Sequence, residues 1–505
     1  MKKIIKNIIL SLLVFFVVFI HFLVKWAIDS FNFLNFDEIL FQLTSPLNGT
    51  EASILESFFE KTVIKSILLT SVILVMIAII IKFFQAKTTN INMKVFKKKI
   101  QYSISGKKIS LIAKALIVVL LVLSLIKSAN DIGLVKYIKY NYLSNSDFFK
   151  KNYIDTRKVK LTFPENKRNL VYIYVESLES SYFTKEKGGS NDDDVMSPIE
   201  ELTSESINYS DNDLYGGFFS YNGTNFTTGS LVAQTSGIPL KVRVDSINLT
   251  NYKEIVKGAY TLGEILNKEG YNQMFMIGSQ GEFGNRKNYF VKHGNYDFYD
   301  YYTAREEKKI NKDYFEWWGF EDSKLFEYAK EKILEYANEE KPFNFSILTA
   351  NTHHPDGYID KDCEEIFTSH YSNSIYCSVN QVNEFVRWIQ EQDFYENTTI
   401  IIVGDHATYK TDYLDKKDDR DVYNLIINSP IETSNNKNRL FSAMDMFPTT
   451  LATLNVKIDG DRLGLGTNLF SNKKTLSEKY GEEELEEKLQ YSSKFYLDKI
   501  LLNKK

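Results

Sequence analysis

Cysteine is nearly missing from this 505-residue chain: Cys363 and Cys377 are the only two. They lie 14 residues apart, which is not the tight spacing of a metal knuckle or a redox pair. They would pair in an oxidising compartment and stay buried thiols in a reducing one, so location decides their state. Histidine is also scarce, with six in the chain, so any cluster of them carries information. Neither sign of charge dominates: 61 basic and 65 acidic residues give a net charge of -4, which removes the basic footprint of a nucleic-acid binder. Internal repeats and low-complexity linkers are absent too. Beyond residue 128 no apolar run is long enough to cross a bilayer, and the remainder reads as a soluble region large enough to bury its own core.

The first 128 residues are different. Three apolar runs, about 7–28, 63–84 and 109–127, are each long enough to span a membrane. The few lysines within them, Lys65, Lys82 and Lys114, carry long stems that can snorkel. The first run lacks a small-residue cleavage site in Phe22-Leu-Val-Lys-Trp-Ala, which argues for an anchor rather than a signal peptide. The N-terminus is basic, and residues 85–108 hold Lys87, Lys94, Lys97, Lys98, Lys99, Lys107 and Lys108 with no acid. Asp29, Asp37, Glu38, Glu51, Glu56 and Glu60 fall between the first two runs. The positive-inside rule then places the lysine loop in the cytoplasm and everything after the third run on the extracytoplasmic face of a multi-pass cytoplasmic-membrane protein. Residues 129–164 read as a connector, 165–472 as the main soluble domain and 473–505 as a charged, exposed helical tail.

In the soluble region, buried-strand runs alternate with helical patterns. Leu170–Val175, Asn272–Ile277, Phe343–Leu348 and Thr398–Val403 read as strands; Tyr260–Lys268, Asp322–Asn338 and Ile375–Gln392 read as helices. That alternation predicts an α/β fold with a doubly wound, mostly parallel sheet and helices on both faces. Ligands of such sheets bind past the carboxyl ends of the strands. Those ends carry Glu176-Ser177, then Thr352-His353-His354-Pro355, then Gly404-Asp405-His406. An adjacent aspartate and histidine delivered by a strand can share a divalent ion; the plain alternative is a turn cap. Asn222-Gly-Thr-Asn-Phe-Thr-Thr-Gly-Ser precedes a helical segment, which suits a nucleophile at a helix N-terminus but equally an ordinary cap.

Five motifs occur in one order: Tyr174-Val-Glu-Ser-Leu-Glu; Thr-Thr-Gly-Ser running to Gly237-Ile-Pro-Leu; Thr352-His-His-Pro-Asp-Gly; Gly404-Asp-His; and Met444-Asp-Met-Phe-Pro-Thr-Thr-Leu. Leu463-Gly-Leu-Gly-Thr-Asn-Leu-Phe follows them. Over residues 165–472 the chain resembles the phosphoglycerol transferases related to lipoteichoic acid synthase, within the alkaline phosphatase/sulfatase superfamily. Its pattern is most like the branch that decorates periplasmic glucans. The resemblance implies Thr227 as catalytic nucleophile and metal ligand, with Glu176, Asp405 and His406 completing the metal site. It implies substrate-binding roles for Arg286 and His353, and a disulfide between Cys363 and Cys377. The implied cofactor is a divalent metal, Mn²⁺ first, with Mg²⁺ or Zn²⁺ as alternatives. Phosphatidylglycerol would be the donor and a glycan or glycerophosphate polymer the acceptor. The chain departs from lipoteichoic acid synthases in two ways: Ile277-Gly-Ser-Gln stands where they carry a histidine upstream of the arginine, and three apolar runs replace five.

Competing readings are a phosphoethanolamine transferase of the same superfamily and a non-catalytic membrane scaffold or sensor. A sulfatase in the strict sense would need a Cys or Ser in a C/S-x-P-x-R setting, and neither cysteine sits in one.

Overall fold

The computed structural model describes residues 2–31, 36–44, 52–84, 88–95, 98–241, 255–410, 413–414 and 420–504. It divides into two compact units: Met1–Phe36 with Glu51–Tyr137, and Asp37–Thr50 with Ile138–Lys505.

The first unit holds helix α1 (Lys2–Phe31), α3 (Lys65–Phe84) and α4 (Gly106–Asp131), while α2 (Phe36–Thr44), between the first two in sequence, belongs from Asp37 onward to the second unit. The stretches Asn7–Ser30, Leu55–Ile80 and Gly106–Asp131 are long and apolar enough to cross a membrane. At 1.5 Å per residue the shortest, 24 residues, spans about 36 Å, more than a hydrocarbon core requires. Leucines on these helices stay outward, such as Leu12 at 62% and Leu120 at 64% exposed. Apolar surface on that scale needs lipid rather than water around it. The chain is a membrane protein with a separate soluble domain.

The second unit is built on a seven-stranded sheet: β1 (Asn169–Val175), β2 (Gly217–Phe218), β3 (Asn272–Ile277), β4 (Asp297–Tyr299), β5 (Phe343–Leu348), β6 (Thr398–Gly404) and β7 (Val422–Ile427). The spatial order is β2-β7-β6-β1-β5-β3-β4. Strands β6, β1, β5, β3 and β4 run parallel, while β7 is antiparallel to β6 and β2 antiparallel to β7. Successive strand residues face opposite sides, so a strand covered on both faces must be apolar throughout. Along β1, Leu170, Tyr172 and Tyr174 enter one core while Val171, Ile173 and Val175 enter the other. The sheet is therefore the mostly parallel, two-faced α/β architecture that the sequence predicts, and β7 is the added antiparallel strand.

Helices α5 (Thr227–Ser236), α6 (Arg286–Lys292), α7 (Asp322–Ala337), α8 (His370–Gln390), α9 (Ala443–Thr453) and α10 (Glu482–Gln490) flank the sheet or extend its cores. Gly237 ends α5 in the left-handed region at φ 68°, which a side chain would strain. The expected exposed tail is corrected here. Its helix exists, but Leu485 and Leu489 are fully buried, and Tyr496 and Ile500 join the same core. Two leucines spaced i, i+4 among glutamates make a narrow apolar stripe, and that stripe is what packs.

Candidate active site

Register brings the motifs together. Val175 of β1 pairs with Gly404 of β6, so Glu176 and Asp405 leave adjacent parallel strands side by side. Tyr174 pairs with Leu348 of β5, so the loop carrying His353 emerges on the other side of Glu176. Gly404 is required by close approach, because a Cβ there would lie 2.0 Å from the carbonyl oxygen of Leu178.

Asp405 is fully buried and is held by its Oδ1, which accepts the backbone N–H groups of Ser177 and His406, each at 2.8 Å. Its Oδ2 accepts no hydrogen bond and lies 3.4 Å from His406 Nε2. Glu176 Oε1 sits 3.5 Å from the same nitrogen and accepts the Ser177 hydroxyl at 2.7 Å. His406 Nδ1 lies 2.8 Å from the Ala407 carbonyl. A carbonyl only accepts, so Nδ1 carries a proton, and in the neutral ring Nε2 presents a lone pair. Thr227 Oγ1, at the first residue of α5, is 3.4 Å from that Nε2. The neighbouring Thr228 is committed elsewhere, donating to the Gly284 carbonyl at 2.8 Å.

Ligand atoms from Glu176, Asp405 and His406 lie within 4.8 Å of one another, all buried. Burial and the nearby Glu176 push the Asp405 carboxyl up to about 6. Burial alone would lower His406, but Asp405 and Glu176 outweigh it and hold the imidazole above its ordinary value. Two buried carboxylates, one with an oxygen lacking a hydrogen bond, and an imidazole lone pair form a donor set that suits a divalent cation. These residues fit the divalent metal that the resemblance implies.

Arg286 opens α6 and is 7% exposed. Its Nε donates to the Phe283 carbonyl at 2.9 Å, and its Nη2 to Ser279 Oγ and the Gln280 carbonyl at 3.0 and 3.2 Å. Burial lowers the guanidinium to about 10 against the pull of Glu176 and Asp405, so it stays charged at neutral pH. His353 donates from Nδ1 to the His354 carbonyl at 2.8 Å, leaving Nε2 as an acceptor. Desolvation lowers it to about 4, with His406 and Arg286 adding to the effect, and Trp318 packs its ring 4.5 Å away. Cys363 and Cys377 are bonded to each other and line, with Tyr376 and Gln381 among others, a cavity of about 550 Å³.

The sulfatase family model matches residues 168–456, more than half of the chain and all seven strands of the sheet just described. The chain is a member of the sulfatase family. Within that family it is 29% identical over 273 residues to phosphoglycerol transferase I of Escherichia fergusonii, covering 52% of this chain and 34% of that protein. The figure for phosphoglycerol transferase I of Citrobacter koseri is 28% over 273 residues, with the same coverage. The match thus spans about a third of the length of those relatives. The integral membrane lipooligosaccharide phosphoethanolamine transferase A of Neisseria meningitidis superposes with a TM-score of 0.51 at 13% identity, covering 88% of this chain and 84% of that one. That likeness is one of fold.

Three partners of the cluster escaped the sequence reading. Tyr409 stacks on His406 at 4.8 Å and 20°, and its hydroxyl donates to the Asn225 carbonyl at 3.0 Å. Arg420 pairs with the fully buried Glu179 through Nε at 2.7 Å and through Nη2, and also donates to the Thr408 carbonyl at 2.7 Å. The Thr408 N–H in turn donates to Glu179 at 3.1 Å, so the loop after β6 is clamped two residues past His406. Glu179 stands in the Glu176-Ser-Leu-Glu motif, which was its one visible signal; Arg420 and Tyr409 had none.

Proposed function

We propose that the chain is a membrane-anchored phosphoglycerol transferase that moves glycerophosphate from phosphatidylglycerol to a glycan or glycerophosphate-polymer acceptor on the extracytoplasmic face. The observation that carries this reading is the Thr227 hydroxyl, at a helix N-terminus and 3.4 Å from His406 Nε2, inside a buried Glu176–Asp405–His406 set. Similarity to phosphoglycerol transferase I supports the donor head group. The three apolar helices and the lysine-rich loop support a multi-pass arrangement in the cytoplasmic membrane.

Glu176, Thr227, Asp405 and His406 would hold the metal, and its bound charge would lower the hydroxyl pKa and polarise the phosphoryl group. Oxygen-rich ligation with one imidazole favours Mn²⁺ or Mg²⁺ over zinc. Thr227 Oγ1 forms a bond to phosphorus while the bond from phosphorus to the diacylglycerol oxygen breaks. On balance that oxygen gains the proton the Thr227 hydroxyl gives up, and a glycerophospho-threonine remains. An acceptor hydroxyl then attacks the same phosphorus, the bond to Thr227 breaks, and Thr227 Oγ1 regains a proton in place of the one the acceptor loses. His353 Nε2, unprotonated at neutral pH, accepts a hydrogen bond or the proton from the incoming hydroxyl rather than supplying one. Arg286 and the free N–H groups at the start of α5 stabilise charge on the phosphoryl oxygens.

Diacylglycerol release from labelled phosphatidylglycerol by the purified full-length protein with Mn²⁺ tests the proposal. Release from phosphatidylglycerol, lost in Thr227→Ala and after chelation, is the expected result. Release from phosphatidylethanolamine instead would move the chain to the phosphoethanolamine transferases, and no release from either would refute a phospholipid donor.

A further inference from the structure

The loop before the nucleophile, Asn222–Phe226, is short, yet both ends of the chain converge on it. Helix α2 comes from the segment between the first two apolar runs and belongs to the same compact unit as the sheet from Asp37 onward. Its Glu38 is 2% exposed, and its Oε1 accepts the Asn225 side-chain amide at 2.5 Å. One turn on, Phe41, 1% exposed, places its ring 5.2 Å from that of Phe226. Asn225 and Phe226 are the two residues immediately before Thr227. From the C-terminal side, Glu486 of α10 accepts the Asn222 backbone N–H at 2.9 Å. Asn225 also ties back into the site: its carbonyl accepts the Tyr409 hydroxyl at 3.0 Å, and its Oδ1 accepts the Gly223 N–H at 3.2 Å. Glu38 and Glu486 both lie outside residues 168–456, the part the family model covers.

We infer that Glu38 is a positioning residue: through Asn225 it fixes the loop that sets Thr227 against His406, so that a segment between two membrane-spanning runs completes the geometry of the catalytic domain. A buried carboxylate is costly unless its hydrogen bonds are met, and this one accepts a side-chain amide of the nucleophile loop. Removing it leaves the Asn225 amide without that acceptor and loosens the residue two before the nucleophile. In-line attack tolerates little of this, since a displacement of about 1 Å at a reacting group costs roughly a hundredfold in rate. Glutamine at position 38 keeps an oxygen in the same place, whereas alanine removes it.

The inference rests on Thr227 as the nucleophile, so the test carries one readout that does not depend on turnover. Full-length wild type, Glu38→Gln and Glu38→Ala are compared by phosphatidylglycerol kinetics and by hydrogen exchange of the peptide spanning residues 222–227. Glu38→Ala is expected to lower kcat at least tenfold with KM within about twofold, and to speed exchange in that peptide at least tenfold. Glu38→Gln should stay within about threefold of wild type on both. Unchanged exchange in Glu38→Ala, a rise in KM with kcat intact, or equal damage in the two variants would each overturn it. If the wild type turns over no phospholipid, the proposed function fails, while the exchange data still decide whether Glu38 anchors the loop. Should Glu38→Ala not fold, Glu486→Ala, which removes the acceptor at the other end of the loop at Asn222, is read by the same exchange peptide: unchanged protection there overturns the idea that these acids hold the loop.

Discussion

Replacing Arg286 by lysine separates a guanidinium that holds phosphate from a charge that happens to be nearby. Three donor contacts, to Phe283, Ser279 and Gln280, use Nε and Nη2 and leave Nη1 for a substrate oxygen. The group is still charged at pH 7.5, because its pKa of about 10 lies well above that. Lysine keeps the charge but has neither the planar fork nor the three anchors, so its ammonium is not fixed where phosphoryl charge develops. Loss of one such preorganised donor costs on the order of 3 kcal/mol of transition-state stabilisation, or roughly a hundredfold in kcat/KM. Arg286→Gln, which also loses the charge, should fall further still. Both are measured as diacylglycerol release, with the thermal unfolding midpoint of each variant confirming a folded protein. Arg286→Lys within threefold of wild type would show that no phosphate is gripped there, and the assignment of the site's anion-binding side would be wrong.

Other consequences follow from packing and charge. Leu485→Ala should destabilise the catalytic unit by about 2–5 kcal/mol, read as a shift of its denaturation midpoint, despite the surrounding glutamates; no shift would mean the tail does not pack. Cys363→Ser with Cys377→Ser opens a 14-residue loop and should cost about 3 kcal/mol of unfolding free energy without abolishing metal binding, measured by denaturant titration. Arg420→Ala strands the buried Glu179 carboxylate and should cost about 3–5 kcal/mol, with activity falling because the Thr408 end of the Asp405–His406 loop is released. Asp322 is buried and its carboxyl is raised to about 7, with Asp360 and Glu176 as carboxylate neighbours and the Ala350 and Asn351 N–H groups opposing the shift. A carboxyl raised on folding favours the folded state fully below the unfolded pKa of about 4 and loses that contribution as pH rises through 7. Stability of the wild type should therefore decline from pH 4 toward 7 relative to Asp322→Asn, whose profile over that window should be flatter.

Much of the fold was open to reading because buried parallel strands cannot alternate: Leu170–Val175 and Thr398–Val403 must be apolar on both faces, and such runs are easy to see. The polar residues at their ends then stand out, which is why Glu176, Asp405, His406 and His353 were legible. The antiparallel β7 was not, since Val422–Ile427 carries Asn424, whose side chain bonds the Tyr209 backbone and interrupts the apolar run. Asp37 and Glu38 read only as loop charge, because nothing local distinguishes an acid facing water from one reaching Asn225. Arg420 was invisible for a similar reason, since its partner Glu179 is far away in sequence, and Tyr409, three residues past His406, carries nothing local to mark its ring as stacked on that imidazole.

The central claim is that Thr227 carries the phosphoryl group between donor and acceptor. The most direct measurement is to incubate the full-length protein with phosphatidylglycerol and Mn²⁺ in the absence of acceptor, quench in acid, and map adducts by mass spectrometry. A glycerophosphoryl group on Thr227, absent from Thr228 and cleared when acceptor is added before the quench, is the predicted result. Diacylglycerol release with Thr227 unmodified, or with the adduct on another residue, would contradict the account.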